Sequence, residues 1–481
     1  MKPTGHVWKR FEELSRIPRQ SKQEQQVREW LIGIADGKGL AHRSDATGNM
    51  VIAVPATAGY EASPGVVLQA HMDMVCEKRS GVKHDFSSDP IRLVRKADGW
   101  LYADGTTLGA DNGIGLSLAL AVLDTPELQH PPLELLFTVD EETGLTGASD
   151  LEPGILSARR LINLDSSDEG IFTIGCAGGL QTDIVLPLTW EPVEQSLTAQ
   201  QVCLRGLSGG HSGVNIHEQR ANAISELARV LYRMSSNIAF KLVRFTGGNA
   251  HNAIPRDAEA VILLQVTAVE ELITQLAQAK KDFMSTYGAT DPRAAFTVEE
   301  TQQVAKGLNA EANRNVLALL TSLPHGVQRM SSEFNGVVET SCNLAKADLS
   351  PEGGSLRAML SQRSFNPAAL QAITGRIHAT AALAGASASD SNGYPAWQPR
   401  EDSELMPPAR QVYREVSGKD ARVEVIHAGL ECGLIGDKHP GMDMISFGPN
   451  IEHLHSPDER VEIESVNRTW AFLCALLAKL K

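Results

Sequence analysis

The sequence predicts an α/β protein with a mostly parallel central sheet, interrupted by an inserted α+β domain. Three observations predict it. Short apolar runs bounded by turn residues alternate with helical patterns up to about residue 186; a different rhythm fills about 187–392; and α/β alternation returns after Trp397. Strands that alternate with helices build sheets covered on both faces. The expected organisation is one domain made from residues 1–186 and 393–481, with residues 187–392 inserted into it.

Apolar positions at helical spacing over 11–34, broken near Pro18, predict helices there. Apolar runs at 50–54, 66–68, 133–137 and 161–164 predict buried strands, and the small, aliphatic stretch 113–123 predicts a buried helix. In the insertion, 201–204, 258–266, 336–344 and 355–361 read as strands, and 218–234, 270–283 and 367–384 as helices. The order of these elements predicts two related βα halves. The closing domain takes strands at 421–426 and 443–447 and a final helix at 466–480.

The 481 residues are enough to bury a core without staples. With 44 basic and 58 acidic residues the net charge is −14. That balance argues against nucleic acid or an anionic membrane as partner, because both need a basic footprint. The six cysteines form no C-x-x-C pair, so neither a zinc ribbon nor a disulfide framework is expected. No secretory h-region and no apolar run of about 18 residues are seen, and a cytoplasmic protein is expected.

Carboxylates and histidines cluster where strands end, which is where open α/β sheets bind ligands. In Leu68-Gln-Ala-His71-Met-Asp73, continued extension puts His71 and Asp73 on one face. A carboxylate so placed can fix the tautomer of a ligating imidazole. Asp111 lies in a glycine-rich loop before the buried helix, either as an ordinary N-cap or as a carboxylate that bridges two cations. Asp140, Glu141 and Glu142 end an apolar strand and repel one another unless a cation or protons compensate. Pointing to opposite sides of an extended chain, Glu141 and Glu142 can take different tasks, one on a metal and one on water; a solvated acidic turn is the plain alternative. Asp165 and His455 complete the set. Together these residues suit a mixed N/O site for two ions of zinc, manganese or cobalt.

The phrases AHMDMV, TTLGADNGIG, TVDEETGLTGA, INLDS, GGHSG, HAGLECG and HSPDE resemble those of the M20 metallopeptidases, in the aminoacyl-histidine dipeptidase branch, and they follow in order along nearly the whole chain. The resemblance implies a zinc-peptidase-like catalytic domain with an inserted lid of the dimerisation type, a homodimer, and hydrolysis of dipeptides. It implies that His71 and Asp165 bind one metal, that Glu142 and His455 bind the other, and that Asp111 bridges both. Asp73 would orient His71, Glu141 would be the general base, and His211 would steady the oxyanion. Asn252, Arg363 and Gly429 would anchor substrate, Arg363 through the dipeptide carboxylate. In the group as a whole, Asp at position 165 goes with aminopeptidases and dipeptidases and Glu with deacylases and carboxypeptidases, so Asp165 favours peptide cleavage. The alternatives are an M20 deacylase or carboxypeptidase, a metal-binding non-enzyme on the same fold, and a serine hydrolase, since Gly206-Leu-Ser208-Gly-Gly210 fits G-x-S-x-G after a strand. The last leaves the acid clusters unexplained.

Overall fold

A computed structural model describes residues 5–194, 196–302 and 304–481. The chain divides into two compact units. One holds the chain up to Cys176 with Trp397–Val425 and Leu430–Lys481; the other holds Ala177–Ala396 and Ile426–Gly429. The boundary expected near residue 187 falls at the far end of the strand Gly178–Pro187. That strand pairs with Ser355–Ser364 and Ser387–Tyr394, so it belongs wholly to the second unit, and the division comes at Cys176.

The first unit is built on an eight-stranded sheet. Its order is His42–Ser44, Met50–Val54, Leu133–Thr138, Val66–His71, Arg160–Asn163, Asp443–Ser446, Ile171–Cys176 and Arg422–Ile426. The central four strands are parallel to one another, whereas the flanking ones pair antiparallel where their register is defined. Val66–His71 and Leu133–Thr138 are buried at every residue, as strands covered on both faces must be. The helix Ala110–Leu123 packs on Val66–His71 and against the helix Gly5–Leu14. Small residues allow that approach: a Cβ on Gly113 would lie 2.9 Å from Phe11 Cε2. At the other end of the sheet Phe172 stacks on Phe472 at 5.2 Å and meets Tyr413 edge-on at 5.5 Å, tying the last helix, Ile463–Lys479, to the sheet.

The second unit carries a separate core under one antiparallel sheet. Its order is Ala295–Glu300, Leu197–Arg205, Ala258–Gln265, Phe240–Gly247, Val338–Leu349, Ser355–Ser364, Gly178–Pro187 and Ser387–Tyr394. Two βαββαβ halves meet where Phe240–Gly247 pairs with Val338–Leu349. The half from Leu197 to Glu300 is inserted whole into the other, after Gly178–Pro187 and before the helix Ala310–Ser322. The helix expected from residue 218 begins at Ala223 instead, because the Asn222 side chain accepts from Ile224 and Ser225 N–H and caps it. Glu218 ends a separate 3₁₀ turn, Ile216–Glu218. Among the described residues no helix is long and apolar enough to cross a membrane.

Candidate active site

Three of the central parallel strands end in this site. His71 closes Val66–His71, Asp165 follows Arg160–Asn163, and Glu141 and Glu142 follow Leu133–Thr138. Their side chains meet those of Asp111 and His455. Asp140 takes a left-handed φ of 50° and turns the chain, so Glu141 and Glu142 sit on a short helical turn, Glu141–Gly144, and not on an extended strand. That corrects the expected alternation. The two glutamates still differ in their partners.

His71 stands between carboxylates. Its Nδ1 lies 3.2 Å from Asp73 Oδ1, and its Nε2 lies 3.1 Å from Asp111 Oδ1 and 3.5 Å from Asp165 Oδ1. A carboxylate only accepts, so Nδ1 carries the hydrogen and Nε2 is turned to the cluster. Asp73 also accepts from Ser21 Oγ at 2.7 Å and from the N–H groups of Glu141 and Glu142 at 3.1 and 3.2 Å. Burial opposes its ionisation, but these donors and the His71 charge outweigh burial and bring the carboxyl down to about 2.

Asp111 divides its two oxygens. While Oδ1 faces His71, Oδ2 lies 3.3 Å from His455 Nε2, and the same nitrogen is 3.0 Å from Glu142 Oε2. Asp111 does not act as an N-cap: the helix start has no side-chain cap hydrogen bond, and both Asp111 oxygens face histidines. His455 has a left-handed φ of 60° and its side chain is half exposed. Two donor sets therefore share Asp111: His71, Asp111 and Asp165; and Asp111, Glu142 and His455, with the ligand atoms of each set within 4.8 Å of one another. Glu141 joins His71 and Glu142 in a third set.

The electrostatics fit divalent cations. Burial opposes a charge on His71, yet Asp165, Asp111 and Asp73 raise its pKa well above the ordinary value. Hydrogen bonds to Asp111 and Glu142 bring His455 up to about 10. Burial, helped by neighbouring carboxylates, pushes Asp165 up to about 6 and Glu141 well above the carboxylate range. Glu142 Oε1 is buried with no hydrogen-bond partner. Protons alone hold such a cluster only by raising some groups and lowering others, whereas cations satisfy all of them at once. Two imidazoles with several carboxylates form the mixed N/O set that zinc, manganese and cobalt accept.

Second-layer residues that the sequence reading missed hold these loops. Glu459 accepts from four successive N–H groups, Leu108 to Asp111, at 2.7–3.3 Å. The buried Arg19 donates to the carbonyls of Met72, Asp73 and Gly109. Glu24 accepts from Asp140 N–H at 3.0 Å. Their only sequence signals are the HSPDE phrase, which contains Glu459, and the polar stretch Arg19-Gln-Ser-Lys-Gln-Glu24 next to a helix break.

Comparison with known proteins places the chain in a family. The sequence model described as peptidase family M20/M25/M40 matches residues 67–479. The chain is a member of peptidase family M20/M25/M40. This M20 peptidase is 38% identical over 474 residues to the cytosol non-specific dipeptidase of Escherichia coli, covering 98% of this chain and 97% of the relative. Its fold matches the crystal structure of aminoacylhistidine dipeptidase from Vibrio alginolyticus with a TM-score of 0.92 at 38% identity, over 99% and 97% of the two chains. The aminopeptidase PepT structure from Bacillus cereus shares the fold at a TM-score of 0.57 and 17% identity, over 99% and 98%.

The remaining sequence-derived residues of the M20 peptidase lie in its second unit. His211 is on the short strand Gly210–His211, paired with Ala253–Ile254, and Asn252 precedes that partner strand. Both line a cavity of about 830 Å³ with Arg205 and Arg256. His211 Nδ1 accepts from the N–H groups of Gly213 and Val214 at 3.2 and 3.0 Å, so the hydrogen of the neutral ring is on Nε2. Burial, Arg363 and His251 bring its pKa down to about 4. Arg363, on Ser355–Ser364, is 8% exposed, and its Nη1 donates to Tyr394 Oη at 2.7 Å. Gly429 packs on the Tyr394 ring. Ser208 does not form a nucleophile pair: its hydroxyl donates to the Thr290 carbonyl at 2.6 Å, and among the described residues no histidine bonds to it.

Proposed function

We propose that this chain is a metal-dependent dipeptidase that hydrolyses dipeptides, Xaa-His among them, in the cytoplasm. The observation that carries this reading is the division of Asp111 between His71 and His455, with Asp165 and Glu142 completing the two donor sets. His71 and Asp165 would hold one cation, Glu142 and His455 the other, and Asp111 both, with zinc as the first choice. When bound, such cations polarise a scissile carbonyl and lower the pKa of water.

The protein's own groups then take these roles. Glu141, beside the donor sets, takes a proton from the attacking water and gives it to the leaving amine. Asp73 keeps the His71 hydrogen on Nδ1 and, through two N–H groups, holds the turn that carries Glu141. His211 is the neutral Nε2–H donor to the oxyanion. Arg363 binds the substrate carboxylate, with Asn252 and Gly429 beside the peptide. The relatives' names, a non-specific dipeptidase and an aminoacylhistidine dipeptidase, support this choice of substrate and, for the first, the cytosol.

The test is a panel of dipeptides with an Xaa-His member and a tripeptide, assayed before and after chelation and after zinc is restored. Cleavage confined to dipeptides, lost on chelation and regained with zinc is expected. Glu141→Gln lowers kcat about 10²–10⁴-fold and leaves zinc binding intact. Cleavage that survives complete chelation sinks the reading.

A further inference from the structure

Arg363 is a buried cation in an unusual setting. Among the described residues no carboxylate ion-pairs with it, its Nε is buried without a partner, and its side chain donates to a neutral phenol. The titratable groups whose pKa it lowers are histidines: His211, His251 and His427. A guanidinium buried like this awaits an anion, and its planar fork must be aimed before the anion arrives.

Tyr394 does the aiming, and the sheet is built to let it. Arg363, Gly179 and Tyr394 stand in one row on three adjacent strands, with Gly179 opposite Arg363 on one side and opposite Tyr394 on the other. With no side chain on the middle strand, the phenol crosses over Gly179 to reach Arg363. A Cβ on Gly179 would come within 2.5 Å of Tyr394 Cε1, Cζ and Oη. Gly429 leaves room on the ring's other contact: a Cβ there would lie 2.9 Å from Tyr394 Cε2. Two glycines therefore seat one tyrosine against one arginine.

We propose that Tyr394 is the positioning residue for Arg363, and that through it Tyr394 sets the preference for a substrate with a free C-terminal carboxylate. This rests on the dipeptidase reading above, in which Arg363 meets that carboxylate. The effect of Tyr394 falls on binding of the carboxylate and spares the chemical step.

The test measures calorimetric binding of a dipeptide and of its C-terminal amide to full-length, zinc-loaded Glu141→Gln protein, with and without Tyr394→Phe. The Phe variant keeps the ring and removes the oxygen that accepts from Arg363. The carboxylate-over-amide preference is expected to shrink about fivefold, with amide affinity unchanged. On the active enzyme, Tyr394→Phe raises KM for the dipeptide by the same factor and leaves kcat within about twofold. Gly179→Ala, which pushes the ring away, gives the same pattern. Equal weakening of both ligands, or an unchanged preference, overturns the proposal, and so does a parent protein with no preference for the carboxylate. Failure of the dipeptidase reading shows separately, as no cleavage by metal-replete wild-type protein or as full turnover by Glu141→Gln; the binding ratio still decides the role of Tyr394.

Discussion

Replacing Glu459 by Gln tests how the bridging carboxylate is held. Glu459 Oε2 accepts from Leu108 and Gly109 N–H at 2.7 and 2.9 Å, and Oε1 accepts from Ala110 and Asp111 N–H at 2.8 and 3.3 Å. A glutamine of the same shape keeps one of these oxygens and puts an NH₂ in place of the other. Whichever way the amide turns, two N–H groups face a donor. At about 1–3 kcal/mol for each unsatisfied buried donor, the loop loses roughly 2–6 kcal/mol. The last of the four N–H groups is that of Asp111 itself, so the loss falls on the residue that divides its oxygens between the two histidines. Zinc affinity should fall about 10–100-fold, the usual effect of removing a group that orients a ligand. Calorimetric zinc titration of chelator-treated protein measures the affinity, and thermal unfolding of the same sample measures the stability. Burial raises the Glu459 pKa against the pull of its hydrogen bonds. A Glu459→Gln protein that binds zinc and unfolds like the wild type would show that the carboxylate charge does not hold this loop, and the argument would fail.

Two further predictions follow from neighbouring observations. Arg19→Lys keeps the charge but loses the fork that reaches the carbonyls of Met72, Asp73 and Gly109; it should cost about 2–4 kcal/mol, seen as a lower denaturant midpoint, and a midpoint equal to wild type refutes it. In the second unit, burial lowers His211 and His325 to about 4 and His427 to about 3, below the ordinary 6.5, with Arg363 adding to the effect on His211 and His427. The unfolded chain then binds more protons than the folded one below 6.5, so these groups make stability fall as pH drops from 6.5 towards 3–4 and stay level above it. A histidine Cε1–H titration by NMR reads each group directly, and a His211 midpoint near 6.5 refutes the neutral-donor argument.

What was legible in the sequence was the part in which neighbours along the chain are also neighbours in space. His71 with Asp73, and Asp165 just past the strand Arg160–Asn163, announce themselves because a buried parallel strand is an apolar run and its end is marked by the first charges. The turn at Asp140 was not legible, since a left-handed φ at an aspartate leaves no periodic trace. Contacts between distant segments were out of reach for the same reason. Glu459 and Leu108 are 351 residues apart, and Arg363 and Tyr394 meet only because Gly179, on the strand between them, has no side chain. The helix Met406–Ser417 and the strand Phe240–Gly247 were passed over as elements because tertiary packing, more than their own pattern, decides them.

One layer below the metal donors, the sheet breaks its own rule. Central parallel strands are expected to be apolar, yet Gln69, Asn163 and Ser446 stand side by side on three adjacent strands, and Thr138, on the next strand opposite His71, joins them diagonally; all four are buried. They are joined in sequence: Ser446 Oγ donates to Asn163 Oδ1 at 2.5 Å, Asn163 Nδ2 to Gln69 Oε1 at 2.5 Å, and Gln69 Nε2 to Thr138 Oγ1 at 3.2 Å. Gln69 and Thr138 both donate in turn to Glu431 Oε2, at 2.6 and 3.0 Å. Gln69 is two residues before His71, and Asn163 two before Asp165, so each shares a face with the donor above it. Leucines in this row would fill the space but leave each strand end free to choose its rotamer. A hydrogen-bonded row restricts the rotamers, because each buried donor must meet an acceptor. The polar row therefore holds the Gln69 and Asn163 side chains in one rotamer beneath His71 and Asp165, on strands whose spacing the backbone ladder already sets. That is why an amide interrupts the apolar run that leads to His71.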